Sequence, residues 1–209
     1  MQPFTTLAAP ACPLPLANVD TDQLIPARFM KRPRSEGYGR FLLHDLRFAE
    51  DGTVRPDSPL DRPERAGAQV LVARRNFGSG SSREAAVYAL IDAGFRCVLA
   101  PSFGDIFASN AVNNGLLPAR LEEHEIEQLL AWLEQGGHEL MVDLEACAVR
   151  AGNHRFGFAI DPVWRTKLLN GWNDLDLTLS HAAAIAAFAE ANARRRPWAG
   201  LPPLGPEAG

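Results

Sequence analysis

Cysteine is scarce in this chain. Cys12, Cys97 and Cys147 are the only three in 209 residues, and they lie far apart. No spacing among them suits a zinc or iron–sulfur site held by this chain alone, and so sparse an odd number fits a reducing cytoplasm. Positive charge is also in short supply. Lys and Arg number 21 against 25 Asp and Glu, a formal net charge of −4, which lacks the basic footprint of a nucleic-acid binder. The run Arg194–Arg196 reads as a solvated helix end. No apolar stretch approaches the roughly 18 residues of a membrane span. The opening Met1-Gln2-Pro3-Phe4 has neither the basic start nor the apolar core of a secretory leader. What remains is ordinary for a soluble globular protein, at 46% hydrophobic and 22% charged residues.

The most informative stretch is Asn76-Phe77-Gly78-Ser79-Gly80-Ser81-Ser82-Arg83-Glu84. It follows an apolar segment, Gln69–Ala73, that reads as a buried strand. It precedes Ser82–Ala93, where Val87, Leu90 and Ile91 recur at helical spacing before Gly94. Cys97–Ala100 is a second apolar strand, so the region is a βαβ unit with parallel strands. A helix starting here offers unpaired N–H groups and a partial positive end. Gly78 and Gly80 let the backbone approach an oxyanion closely, and Arg83 can grip a carboxylate or phosphate in bidentate fashion. The stretch is neither a Walker loop nor a GxSxG elbow. A serine in such a loop can move a proton if nearby dipoles stabilise its alkoxide. Equally, Ser81 and Glu84 have the spacing of a capping box, which would make Ser81 only an N-cap.

Two further clusters carry polar chemistry. Asn18–Phe29 holds Asp20 and Asp22, which could orient a partner or bind a cation, or simply cap the turn before Ile25-Pro26. Arg28 and the Lys31–Arg34 stretch after it form a basic patch in an acidic chain, suited to a dicarboxylate or to solvent. Pro101–Phe107 with Asn110, Asn113 and Asn114 follows the second strand, at the carboxyl end where open α/β sheets bind ligands; its asparagines line a site or cap turns. Elsewhere Asp51–Ala68 reads as a surface excursion. Ile126, Leu129, Leu130 and Leu133 mark an amphipathic helix stopped by Gly136-Gly137. Glu139–Leu144 and Arg155–Ile160 read as a hairpin around Ala151-Gly152-Asn153, and Ala182–Ala193 as a helix. These elements make a mixed α/β domain with a central sheet, a single domain over 1–209 with its core at about 10–195 and a flexible tail over 196–209.

Taken in order, the three clusters resemble the small subunits of 3-isopropylmalate dehydratase, the swivelling β/β/α domain of the aconitase superfamily. Asn18–Phe29 resembles that family's Asn-Val-Asp-Thr-Asp signature; Gly37–Leu42 with His44–Phe48, Asn76–Glu84, Ala100–Phe107 and Asn114–Pro118 follow in the family's order, across roughly residues 10 to 190. The resemblance implies a hydro-lyase that isomerises 2- and 3-isopropylmalate in leucine biosynthesis. It implies no cofactor on this chain, a [4Fe–4S] cluster on a large-subunit partner, and a small dicarboxylate as substrate. By motif, Ser81 resembles the proton-transferring serine and Arg83 the carboxylate clamp. Gly80 and Ser82 would assist in binding, Asp22 would orient groups around the site, and Arg28 and Lys31 lie where the family selects the substrate side chain. The chain departs from the family's usual pattern with Ser79 for cysteine, Ala85 for histidine, Val87 for proline, Tyr88 for tryptophan and Gly104 for alanine. Those departures leave a related substrate, of 2-methylmalate (citraconate) or homoaconitate type, and a non-catalytic partner role as alternatives.

Overall fold

The computed structural model describes residues 1–199. Along the chain lie β1 (Thr6–Leu14), α1 (Thr21–Leu24), α2 (His44–Arg47), β2 (Val70–Ala73), α3 (Glu84–Asp92), β3 (Cys97–Ala100), α4 (Asp105–Asn113) and β4 (Leu117–Arg120). Then come α5 (Glu123–Glu134), β5 (Glu139–Asp143), β6 (Ala148–Ala151), β7 (His154–Gly157), α6 (Pro162–Asn170), α7 (Asp174–Ser180) and α8 (Ala182–Arg195). Met1–Asn173 forms one compact unit and the chain from Asp174 onward a second. The second holds α7 and α8, neither of which buries a residue. The tail expected over 196–209 falls outside the described residues from position 200 on.

One seven-stranded sheet runs in the order β4-β3-β2-β1-β5-β6-β7. Its β4, β3, β2 and β1 are mutually parallel, whereas β1, β5, β6 and β7 pair antiparallel. The parallel strands are covered on both faces, which is why they read as unbroken apolar runs rather than alternating ones. Leu71, Ala73, Val98 and Ala100 join one core with Leu24, Leu42, Leu43, Phe77 and Leu90. Val70, Val72, Cys97 and Leu99 face the other, against Ile126, Leu129, Leu130 and Leu133 of α5 and Leu140 and Val142 of β5. The βαβ unit and α5 thus stand where the sequence puts them.

The central strand is one the sequence conceals. β1 contains Pro10 and Pro13, residues that argue against an interior strand. Both fall where a ladder ends. The Ala11 N–H donates to the His138 carbonyl at 2.8 Å, so Pro13, two residues on, faces the side where β5 has already stopped opposite Pro10. Pro10 faces β2's side one residue before β2 begins opposite Ala11, and its carbonyl accepts from the Gln69 N–H at 3.0 Å. No ladder donor is required at either position.

The expected hairpin is corrected. β6 lies between its two strands: β5 pairs with β6, and the Gly152-Asn153 turn joins β6 to β7. The extra turn is made at Glu145–Cys147, with Cys147 at φ +48 and the Ala146 N–H donating to Asp143 Oδ1 at 2.8 Å. A cysteine in left-handed backbone carries none of the Gly or Asn signal by which such turns are recognised. Leu117 and Pro118, grouped with the asparagine cluster in the sequence, belong to β4, an edge strand where proline is tolerated. The excursion at 51–68 is pinned from inside. Arg65, only 7% exposed, donates to the carbonyls of Leu133 at 2.6 Å, Gly137 at 2.8 Å and Ala11 at 3.2 Å, so a cation closes the carbonyl end of α5.

Candidate active site

The chain leaves β2 through Arg74 and Arg75, which pair with Glu127 at 2.7 Å and Glu123 at 2.9 Å on α5. Asn76 then turns at φ +62. Phe77 drives into the core, its ring edge-on to Phe107 at 5.4 Å and Phe103 at 6.3 Å. From here the loop is held on both sides by backbone. Toward β3, the Phe77 N–H donates to the Ser102 carbonyl at 3.0 Å and the Gly104 N–H to the Phe77 carbonyl at 2.9 Å. Toward β1, the Gly78 N–H donates to the Val19 carbonyl at 2.7 Å and the Thr21 N–H to the Ser79 carbonyl at 2.9 Å. Asn76 Nδ2 donates to Asn18 Oδ1 at 2.9 Å, joining two left-handed corners. The loops that follow β1, β2 and β3 thus form one laced platform beyond the carboxyl ends of the strands.

Two glycines make the platform tight. A Cβ on Gly78 would sit 2.2 Å from the Phe107 ring, and one on Gly104 would sit 2.5 Å from the Gly78 carbonyl oxygen. The N-terminal end of α4 therefore presses directly on the glycine loop.

Past Gly80, at φ +91, the chain opens to solvent. The helix begins at Glu84 with Arg83 as its N-cap residue and no side-chain cap. This corrects the expected start at Ser82 and overturns the capping-box reading of Ser81, which lies two residues too early to cap α3. Among the described residues the Ser81 hydroxyl has no hydrogen-bond partner, while its carbonyl accepts from Thr21 Oγ1 at 2.9 Å. Thr21 is itself buried, at 2% exposure.

Ser81 and Arg83 line a cleft of about 210 Å³ with Thr21, the Gly78–Gly80 segment and Gly104–Phe107. The uncapped amino ends of both α3 and α4 border it, so two helix dipoles favour negative charge in one place. Larger hollows exist, of about 370 Å³ around Arg120 and Trp164, about 260 Å³ lined by Leu14, Leu43 and Leu60, and about 220 Å³ lined by Cys12, Arg47 and Arg65. The first two join no hydroxyl or thiol to a cation, and in the third burial pushes the Cys12 thiol up to about 12.

The two aspartates divide their work. Asp20 caps α1 in a reciprocal capping box with Gln23, at 2.7 and 2.9 Å. Asp22 makes a close ion pair with Arg83, and the Arg83 hydrogen bond holds its carboxyl below the usual range. The structure therefore brings Ser81, Gly80, Arg83 and Asp22 together, with Ser82 exposed beside them. It does not bring Arg28 or Lys31 into this cleft. Arg28 is bound by Asp45 at 2.9 Å and lies over the Phe29 ring, and its hydrogen bond pushes Asp45 down to about 2. Lys31 is exposed. The asparagines tie elements together: Asn114 Nδ2 reaches Glu84 Oε1 at 2.8 Å, and Asn113 contacts Lys167. Of the altered positions, Val87 is core, and Tyr88 lies 3.8 Å under the Arg34 guanidinium, which pairs with Asp92. Sequence reasoning missed Thr21 and Ile106 as cleft residues.

A family model described as the aconitase C-terminal domain matches residues 1–124, and a second, LeuD_N, matches residues 127–162. The small subunit of 3-isopropylmalate dehydratase from Geobacillus kaustophilus is 47% identical over 190 residues, spanning 90% of this chain and 96% of that relative. The same subunit from Phenylobacterium zucineum is 46% identical, over 95% of this chain and 98% of the relative. The chain belongs to the family of 3-isopropylmalate dehydratase small subunits. Its fold is likewise similar to that of the solved 3-isopropylmalate dehydratase from Methanocaldococcus jannaschii, with a TM-score of 0.62 at 23% identity, covering 87% of this chain and 98% of the other. A small subunit of this kind implies a large-subunit partner. Among the described residues no group of three or more His, Cys, Asp or Glu could hold a metal ion. Burial pushes the thiols of Cys12 and Cys97 up, Cys12 to about 12. Neither is a ready thiolate for a cluster.

Proposed function

We propose that this chain is the base-and-clamp half of a dehydratase. It joins an iron–sulfur large subunit in the cytoplasm and with it interconverts 2- and 3-isopropylmalate in leucine biosynthesis. The observation that carries the reading is the unpartnered Ser81 hydroxyl beside Arg83, in a cleft bordered by two helix amino ends. A [4Fe–4S] cluster on the partner would supply the Lewis acid for the substrate hydroxyl.

In this reading Arg83 binds a substrate carboxylate through its guanidinium, while Asp22 keeps that side chain aimed. Ser81, as the alkoxide, takes the proton from the substrate carbon. The C–H electron pair forms the double bond as the neighbouring hydroxyl departs as hydroxide, which leaves an unsaturated diacid, hydroxide and protonated Ser81. Rehydration adds the Ser81 proton to the carbon that lost the hydroxyl and hydroxide to the carbon that lost the proton, giving the isomer and restoring the alkoxide. The Thr21 hydrogen bond to the Ser81 carbonyl fixes the serine's position, and the loop and helix N–H dipoles stabilise its oxyanion.

The test is reconstitution with an iron–sulfur large subunit, following the absorbance of the unsaturated diacid with 3-isopropylmalate, citraconate and homocitrate. Preference for 3-isopropylmalate supports the reading, and equal or better turnover of the others refutes the assigned substrate. Ser81→Ala is expected to abolish turnover while the complex still assembles and the fold loses less than about 0.5 kcal/mol, because no partner is lost. Stable assembly without any turnover by the unaltered chain would point to a non-catalytic partner.

A further inference from the structure

The cleft is almost entirely glycine, hydroxyl and charge. Two large apolar residues line it, adjacent on α4. Phe107 is 3% exposed and spends its ring on Gly78; Ile106 is 54% exposed. A single exposed isoleucine ordinarily needs no explanation. This one stands on a helical turn clamped to the glycine loop by the Gly104–Gly78 contact and by the Gly104 N–H bond to Phe77, in the same cleft as Ser81 and Arg83. A cleft that grips a carboxylate, moves a proton and offers one fixed apolar side chain suits a diacid bearing a branched alkyl group.

We propose that Ile106 is a specificity-determining residue, the surface on which this chain receives the alkyl substituent of its diacid substrate. The proposal rests on the dehydratase reading above. It places side-chain selection on α4, whereas Arg28 is engaged by Asp45 and neither it nor Lys31 lines the cleft.

The test uses the reconstituted complex with 3-isopropylmalate and with citraconate, which carries only a methyl group. One alkyl carbon in an apolar pocket discriminates by roughly 10- to 200-fold. Ile106→Ala is expected to lower kcat/KM for 3-isopropylmalate within that range, chiefly through KM, and to change that for citraconate by less than about threefold. Ile106→Val should fall between. Affinity for the large subunit should be unchanged in both variants. Equal losses on both substrates, a weakened complex, or an unchanged substrate ratio would each overturn the proposal. A ratio that moves with Lys31→Ala and not with Ile106→Ala would place selection on the 28–31 loop instead. Failure of the unaltered complex to prefer 3-isopropylmalate would count against the dehydratase reading, whereas a preference that ignores Ile106 defeats only this inference.

Discussion

Gly104→Ala adds one methyl group where the structure leaves no room for it. Backbone strain is not the reason, since Gly104 sits at φ −63, ψ 132, which alanine adopts freely. The obstacle is the Gly78 carbonyl. The new Cβ would lie 2.5 Å from its oxygen, 3.1 Å from its carbon and 3.3 Å from Ser79 Cα. Ordinary contact begins at 3.4 Å, so loop and helix must part by about 0.9 Å. Neither can yield cheaply: Gly78 is bonded to Val19 and backed by the Phe107 ring. Overpacking of this kind costs about 1–3 kcal/mol, which in a chain of this length lowers Tm by about 2–12 °C. The same shift moves Ser81 relative to Arg83, and a displacement near 1 Å costs about 100-fold in turnover. Calorimetry and the coupled dehydratase assay read the two effects separately. A Gly104→Ala chain with unchanged Tm and kcat would refute the claim that α4 is clamped to the glycine loop.

Asp22→Asn keeps the side chain's size and removes its charge. Asp22 titrates below its ordinary value of 3.8 because Arg83 bonds its charged form. Its stabilising effect is therefore complete above pH 4 and lost as pH falls through the depressed value. The pair is partly exposed, so the stability difference between variant and parent at pH 7 should not exceed about 1 kcal/mol, and it should shrink toward pH 3 in denaturant titrations; a gap that widens on acidification contradicts the assignment. Arg65→Met strands three carbonyls and should cost about 2–4 kcal/mol, seen as a Tm drop of about 4–16 °C; a drop under 2 °C would show that Arg65 does not pin the 51–68 segment. Native protein treated with an alkylating reagent at pH 8 should be modified at Cys147 before Cys12 or Cys97, since burial keeps the latter two protonated. Peptide mass spectrometry showing early reaction at Cys12 would contradict its burial.

The parts of this fold that were legible in the sequence are those governed by local rules. Apolar runs with helical or strand spacing located β2, α3, β3 and α5, and the glycine–serine–arginine stretch pointed to the candidate cleft. What stayed hidden depends on distant partners. Pro10 and Pro13 disguise β1 because only its neighbours' ends make prolines acceptable there. Cys147 hides the turn between β5 and β6 because left-handed backbone is unusual for cysteine. Ser81 looked like a cap because Ser-x-x-Glu is a local signal; the helix start two residues later is set by the platform that holds the loop. Thr21, between two aspartates, showed nothing of its bond to Ser81 across sixty residues, and α4 was given no element because its asparagines suited a site lining and turn caps equally. Asp20 and Asp22 could be told apart only once one was seen to cap α1 and the other to meet Arg83.

The laced platform has a consequence in time. Residues 18–21 bond to residues 75–81, and residues 76–77 bond in turn to residues 102–104. As the chain is synthesised, its first piece waits for the second, and both wait for the third. A nascent or truncated chain that stops before Gly104 holds every residue of the proposed base and clamp, yet lacks the third loop that seats them. Ser81, the proposed base, is thus seated only when residues 102–104 follow, with β1, β2 and β3 made and β4 still to come.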